Sequence, residues 1–151
     1  MRVVTTILIQ RPVEQVFDFL TTPGNWPLWH PSSLKVTGAA DHSLLVGEQV
    51  TEEFVVAGQS GTAVWTVRER QAPHYWVIDG VAENGNRASI PYSLREHGGS
   101  TTFERVLEFT VLPPAFPGAT LVEFARQVEA ESSEALRRLK VVLEAEPTPG
   151  T

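Results

Sequence analysis

The chain has 151 residues, with 12 basic and 18 acidic side chains and a formal net charge of -6. This negative charge argues against nucleic-acid binding, because Lys and Arg supply most of the affinity for a phosphate backbone. It contains no cysteine, which excludes disulfides, thiolate nucleophiles and cysteine-bound zinc. Neither a signal peptide nor a run of about 20 apolar residues, the length of a membrane span, is found, and we therefore expect a soluble cytoplasmic protein.

The N-terminal residues predict a strand followed by two short helices. Arg2 to Ile9 is rich in Val, Thr and Ile, the composition of a β-strand. Pro23 and Gly24 end the first helix, and residues 25–29 allow at most one further helical turn. Pro12 suits the start of the first helix, and the apolar residues that follow it at helical spacing are Val13, Val16, Phe17 and Leu20.

Residues 32–112 predict six consecutive antiparallel strands. Short segments rich in β-branched and aromatic residues alternate there with turn residues. Asn84-Gly85 is the strongest hairpin signal, because both central positions of a type I′ turn require positive φ. The predicted strands are Leu34 to Thr37, Glu48 to Val56, Thr62 to Arg70, Tyr75 to Val81, Ala88 to Glu96 and Thr101 to Leu112.

The C-terminal part of the chain predicts one long helix. Pro113 to Gly118 is a Pro-rich connector, and Thr120 to Glu123 has the pattern of a capping box. Residues 146–151 predict a flexible tail, which leaves one domain over residues 1–145. The apolar stripe of the helix, which should lie across the sheet, consists of Leu121, Phe124, Ala125, Val128, Ser132, Ala135, Leu136, Leu139, Val142 and Leu143.

The order of these elements resembles that of the START and Bet v 1-like (SRPBCC) superfamily. Three segments resemble its polyketide cyclase/dehydrase branch, namely Arg11 to Phe17, Asn25 to Pro31 and Gly98 to Thr101. The resemblance covers essentially the whole chain. It implies an α+β helix-grip fold, in which a seven-stranded curved antiparallel sheet wraps around the long C-terminal helix. It also implies a cavity between sheet and helix that holds a small apolar or aromatic molecule.

Alternation along the strands predicts which side chains point towards this cavity. Phe103, Leu107 and Phe109 share a face, which places Arg105 among them. A buried guanidinium requires a carboxylate or a ligand oxygen as partner. Arg105 therefore either binds ligand, or pairs with Glu131 or Glu52, or extends to water from an edge position. The other inward residues are Ala63, Trp65, Val67, Trp76, Ile78, Gly80, Ile90, Tyr92 and Leu94.

Several aromatic residues have both a structural and a functional interpretation. Tyr92 either donates a hydrogen bond to a ligand carbonyl or is a core tyrosine with a backbone partner. Trp65 and Trp76 either provide flat walls for a planar ligand or fill the sheet. Trp29 either borders the cavity or fastens the second helix to the sheet. His30 is either a general base or a solvent-facing helix cap.

Two functions follow from these residues. The first is binding of a small hydrophobic or aromatic molecule, and the alternative is polyketide cyclase/dehydratase-type catalysis in the same cavity. We expect no cofactor and no metal site, and the choice between monomer and homodimer stays open. The catalytic candidates are Arg105, Tyr92 and His30. The ligand-binding candidates are Trp29, Trp65, Trp76, Ile90, Tyr92, Phe103, Arg105, Leu107, Phe124 and Val128.

Overall fold

Seven β-strands form one antiparallel sheet. The computed structural model describes residues 1–110 and 121–146. In chain order, the second to the sixth strand each pair with the next one along the chain, and the first strand pairs with the seventh. The strands are β1 (Arg2–Ile9), β2 (Ser33–Gly38), β3 (Gln49–Val56), β4 (Gln59–Gln71), β5 (Tyr75–Ala82), β6 (Arg87–His97) and β7 (Ser100–Phe109).

Two short helices follow β1, as predicted. Helix α1 (Val13–Leu20) begins after Pro12, and its apolar face is fully buried. A single 3-10 turn (Pro23–Asn25) leads into α2 (Trp26–Trp29). The indole Nε1 of Trp26 donates to the carbonyl of Leu20 at 3.0 Å, which fixes α2 against the end of α1.

The long helix α3 (Leu121–Ala145) packs on β1 and α2. Its buried side chains repeat at helical spacing and belong to the predicted stripe. Of the other predicted members, Ala125 and Val142 are half-buried, and the side chain of Leu121 lies outside the described residues. The helix, the strand faces and α1 contribute to one apolar core. The helix-grip class predicted for the chain is therefore confirmed. The buried residues of α3 are Phe124, Val128, Ser132, Ala135, Leu136, Leu139 and Leu143.

Arg11 joins the start of α1 to the end of α3. Its guanidinium donates to the carbonyls of Glu144 and Glu146, the latter from Nε at 3.0 Å. The backbone N–H of Gln10 also donates to the Glu144 carboxylate at 2.9 Å. Because the carbonyls at a helix C-terminus carry partial negative charge, a cation there stabilises the helix.

The hairpin between β5 and β6 differs from the prediction. Only Gly85 of the Asn84-Gly85 pair has positive φ, at 89°. The Asn84 side-chain oxygen accepts from the N–H of Asn86 at 3.0 Å, and the N–H of Ala82 donates to the Asn86 carbonyl at 2.9 Å. The predicted type I′ turn is wrong because this side-chain bond stabilises a longer turn.

A two-residue turn occurs instead at Ala57-Gly58, between β3 and β4. Both residues have positive φ, 49° for Ala57 and 78° for Gly58. Val56 and Gln59 pair directly across the turn, so β4 begins three residues before the predicted Thr62. Because alanine rarely adopts positive φ, the residue types of this pair do not predict a tight turn.

Some predictions concern residues outside the described ranges. These are the extension of the last strand to Leu112, the connector from Pro113 to Gly118, the Thr120 cap and the tail after Glu146. The last described strand, β7, ends at Phe109. None of the helices in the described parts of the chain is both long and apolar enough to cross a membrane.

Candidate functional site

A cavity of about 220 Å³ lies between the sheet and α3. Strands β3 to β7 form its wall, and α2 and α3 close its other sides. Its surface is mostly apolar, and its polar side chains include Arg105 with its neighbours and residues of the β3–β4 and β5–β6 hairpins. Pockets for drug-sized ligands have volumes of about 300–1,000 Å³, so this cavity suits a smaller molecule.

Eight of the ten predicted ligand-binding residues line the cavity. The other two, Trp76 and Phe103, are fully buried but do not line it. Their rings pack against Tyr92 at centroid distances of 5.3 and 4.9 Å. These two residues thus hold the Tyr92 ring and have no surface in the cavity. The predicted residues that line it are Trp29, Trp65, Ile90, Tyr92, Arg105, Leu107, Phe124 and Val128.

Two glycines keep aromatic rings flat against the sheet. Gly80 pairs with Trp65 across β4 and β5, and a Cβ atom on Gly80 would lie 2.5 Å from the indole ring. Gly61 pairs with Phe54 across β3 and β4, and a Cβ atom there would lie 2.6 Å from the phenyl ring. A side chain at either position would collide with the ring and displace it. Glycine at both positions therefore allows the two rings to lie close to the sheet.

Arg105 lies on β7 and is 6% exposed. Its Nη1 donates to Ser132 Oγ at 3.4 Å, while its Nε is buried without a partner. Among the described residues, no carboxylate oxygen lies within 4.0 Å of its guanidinium nitrogens. The ion pair with Glu131 or Glu52 that the sequence left open is not formed. A buried cation of this kind is costly unless another group accepts from it.

Tyr92 lies opposite Arg105 on the neighbouring strand β6. Burial raises the pKa of Tyr92 to about 12, although the charge of Arg105 and a hydrogen bond from it act in the opposite direction. The phenol is therefore protonated at neutral pH. Its hydroxyl interacts with Arg105, whereas the sequence had allowed a backbone partner.

Glu52 lies on β3 and lines the same cavity. Its Oε1 accepts from the indole Nε1 of Trp65 at 3.1 Å. Burial raises the pKa of Glu52, while the nearby Ser33 hydroxyl, the hydrogen bond from Trp65 and the charge of Arg105 oppose that shift. The cavity thus holds a carboxyl group whose ionised form is disfavoured by its surroundings.

His30 follows α2 and also lines the cavity, so it is not a solvent-facing cap. Its Nδ1 accepts from the backbone N–H of Ser32 at 3.2 Å. Burial, and then the positive charge of Arg105, hold the pKa of His30 well below its ordinary value of 6.5. The imidazole is therefore neutral at pH 7. Since Nδ1 accepts, Nε2 carries the proton.

Glu131 on α3 connects two loops at the edge of the cavity. Its two carboxylate oxygens accept from the backbone N–H of Ala57 at 3.0 and 3.1 Å. Ser32 Oγ donates to Oε1 at 3.3 Å. The carboxylate thereby holds the β3–β4 turn and the residues before β2 against the long helix.

Several lining residues were not predicted as site residues, among them Glu52, Phe54 and Ser132. Glu52 could have been predicted from alternation along β3, because it lies on the same face of the strand as the apolar residues Val50 and Phe54. The sequence analysis treated Glu52 only as a partner for Arg105. Ser132 was assigned to the apolar stripe of α3, which is also where it lies.

The sheet, the long helix and the cavity between them define a helix-grip protein of the START and Bet v 1-like superfamily. Residues 1–144 match the family described as polyketide cyclase/dehydrase and lipid transport. The chain belongs to this family, and the predicted resemblance is confirmed.

Three similar proteins are distant in sequence. The penitrem biosynthesis cluster 1 protein I of Penicillium ochrochloron is 33% identical over 72 residues, which are 46% of this chain and 47% of the relative. This chain thus spans about half the length of that relative. Protein CV1439 from Chromobacterium violaceum is similar over 96% of this chain and 99% of its own, with 17% identity and a TM-score of 0.75. Ara h 8.0201 is similar over 97% of this chain and 99% of its own, with 11% identity and a TM-score of 0.67. At these identities the structural likeness shows the fold.

Proposed function

We propose that this protein binds a small hydrophobic or aromatic molecule in the cavity between the sheet and α3. The polar end of the molecule lies at Arg105 and Tyr92. The observation that carries this proposal is the buried Arg105 guanidinium, which has no carboxylate partner among the described residues and borders a cavity with a mainly apolar surface. Pockets of this composition obtain affinity from apolar burial and orientation from a few polar groups.

Filling the cavity should weaken this binding. Ala63 is 5% exposed and lines the cavity, so Ala63→Phe places a ring in the ligand's volume. We expect the affinity for the neutral fluorescent dye 1-aminoanthracene to fall at least about tenfold, a loss of roughly 1.4 kcal/mol. Dye fluorescence measured during titration gives the dissociation constant.

Val64→Phe is the matched control, because Val64 is the next residue of β4 and is 41% exposed. It should leave dye binding unchanged. Equal binding by the two variants, or no binding by the unaltered protein, would contradict the proposal. Because overpacking costs about 1–3 kcal/mol, thermal unfolding checks that Ala63→Phe is folded. Mass spectrometry of the denatured wild-type protein identifies any co-purified molecule independently of the variant.

A second function, catalysis of the cyclase/dehydratase type, is supported by His30. Its imidazole is neutral at pH 7 and shares the cavity with the Arg105 guanidinium and the Tyr92 hydroxyl. The imidazole Nε2–H, the guanidinium and the hydroxyl are all donors, and donors of this kind can polarise a carbonyl. Membership of a family described by cyclase and dehydrase activity is consistent with such chemistry.

Tyr92→Phe separates the two functions. If Tyr92 is a proton donor, its loss should lower the rate of cyclisation of a poly-β-ketone by about 10²–10⁴-fold. Dye binding should change little, because the ring stays packed against Trp76 and Phe103. Product formation is followed by chromatography. Binding without turnover in the wild-type protein would rule out the catalytic function and leave the binding function standing.

A further inference from the structure

Trp29 differs from the other tryptophans in the bonding of its indole N–H. The chain has four tryptophans, and three of them donate from Nε1 to protein oxygens, at 3.0 Å in Trp26, 3.1 Å in Trp65 and 3.2 Å in Trp76. Trp29 Nε1 is buried and has no hydrogen-bond partner in the described part of the chain, although Trp29 lines the cavity. Because a buried indole N–H usually has a partner, a molecule in the cavity is the natural source of the missing acceptor.

Ser33 is a second buried polar residue without a side-chain partner. Its Oγ forms no hydrogen bond with any described residue, and Ser33 is 6% exposed and lines the cavity. A turn links it to Trp29, in which the Ser33 N–H donates to the His30 carbonyl at 3.0 Å. Leaving a buried polar group unpaired costs about 1–3 kcal/mol. A ligand group that bonds to both side chains would remove that cost.

A β-bulge in β2 turns Ser33 towards the cavity. Ser33 pairs with Phe54, which lines the cavity, whereas Lys35 pairs with Glu53, and both residues of that second pair are exposed. In a regular strand, residues two apart lie on the same face. The register shift between Ser33 and Lys35 instead places them on opposite faces and leaves Leu34 57% exposed. Because bulges re-aim side chains next to functional sites, this bulge favours a binding role for Ser33.

This pair of side chains is separate from Arg105 and Tyr92. Arg105 and Tyr92 lie on the adjacent strands β7 and β6. Trp29 lies on α2 and Ser33 begins β2, an edge strand that β3, β4 and β5 separate from β6. The indole can only donate, while the serine hydroxyl can donate or accept. A ligand hydroxyl therefore fits both, because it accepts from the indole and bonds to the serine in either direction.

We propose, building on the binding function above, that Trp29 Nε1 and Ser33 Oγ form a second polar subsite of the cavity, which binds a hydroxyl group of the ligand. The other polar group of the ligand lies at Arg105 and Tyr92. The ligand class is thus a small apolar molecule with at least two oxygen substituents. A hydroxyl placed elsewhere in the mainly apolar cavity would lose its bonds to water without replacement. Its position on the ligand therefore decides whether it strengthens or weakens binding.

A series of acetonaphthones tests the subsite. 2-Acetonaphthone has one ketone, and its hydroxy derivatives carry one added hydroxyl at each free position of the other ring. We expect wild-type protein to bind at least one derivative about tenfold more tightly than 2-acetonaphthone, a difference of roughly 1.4 kcal/mol. Isothermal titration calorimetry gives the dissociation constants. If every derivative binds as weakly as 2-acetonaphthone or more weakly, the subsite is overturned.

Trp29→Phe should remove this gain, because phenylalanine keeps an aromatic ring and lacks the N–H. The affinity of the best derivative relative to 2-acetonaphthone should fall from about tenfold to about threefold or less. Ser33→Ala should lower the same ratio. Trp26→Phe is the matched control on α2, because Trp26 Nε1 already donates to the Leu20 carbonyl. It should leave the ratio unchanged, since a general change in the cavity affects both ligands.

The possible results separate the subsite from the binding function. An unchanged ratio in Trp29→Phe would overturn the subsite, and an unchanged ratio in Ser33→Ala would overturn the part assigned to Ser33. If 2-acetonaphthone or 1-aminoanthracene binds and no hydroxyl adds affinity, the subsite fails and the binding function stands. If none of these compounds binds, both proposals fail. Thermal unfolding confirms that each variant is folded.

Discussion

Replacing Leu139 by alanine is expected to lower the free energy of unfolding by about 2–5 kcal/mol. Leu139 lies on α3 and is completely buried in the core that α1, α3 and the sheet share. Removing its side chain loses the transfer free energy of the removed atoms and leaves a void that the surrounding residues fill only in part. Chemical denaturation monitored by circular dichroism measures the change.

Val141→Ala is the matched control on the same helix. Val141 is two residues away and 70% exposed, so its truncation should change stability by less than about 0.5 kcal/mol. Similar losses for the two variants would mean that α3 does not pack on the sheet through the Leu139 face. The comparison thus tests the position of the long helix separately from any ligand.

Most of the fold was predictable because its elements have strong local patterns. The spacing of the apolar residues from Val13 to Leu20 predicts a helix with one buried face, and that face is buried in the structure. Alternation in β4 correctly places Ala63, Trp65 and Val67 inside and Val64 outside. These patterns depend on residues that are close in sequence, so a single chain is enough to read them.

Turn geometry was less predictable because competing local hydrogen bonds decide it. Asn84-Gly85 has the composition of a two-residue turn, yet the Asn84 side chain stabilises a longer one. Ala57-Gly58 lacks that composition, yet forms the tight turn. Its Ala57 N–H is held by Glu131, which lies 74 residues away along the chain. A contact at that separation leaves no local pattern.

Strand alternation predicts which side chains face the candidate site, but it does not predict which groups those side chains contact. Strand alternation places Arg105 and Tyr92 towards the cavity, as the structure does. The partner of Arg105 depends on distances between β3, β7 and α3, which alternation does not determine. The sequence allowed Glu52 or Glu131 as the partner of Arg105. In the described residues, neither carboxylate lies within 4.0 Å of the guanidinium.

Replacing Arg105 by methionine should change stability and binding in opposite directions. Met fills a similar volume without charge, and exchanging a buried charged group for an apolar one is often neutral or stabilising by about 1–4 kcal/mol. Binding should weaken, because a hydrogen bond from a charged donor contributes about 1.5–3 kcal/mol. The affinity for 2-acetonaphthone, a naphthalene that carries one neutral ketone, should therefore fall by roughly 10- to 150-fold.

Calorimetric titration and thermal unfolding of the same preparation measure both effects. Arg68→Met is the control, because Arg68 is an exposed arginine that pairs with Asp79 at 2.7 Å on the outside of the sheet. It should leave ligand affinity unchanged and alter stability only slightly. A large loss of stability in Arg105→Met, with affinity preserved, would mean that Arg105 supports the core through Ser132 and Tyr92. A gain in stability with loss of affinity would mean that a costly buried charge is retained for ligand binding, since its removal would otherwise improve the fold.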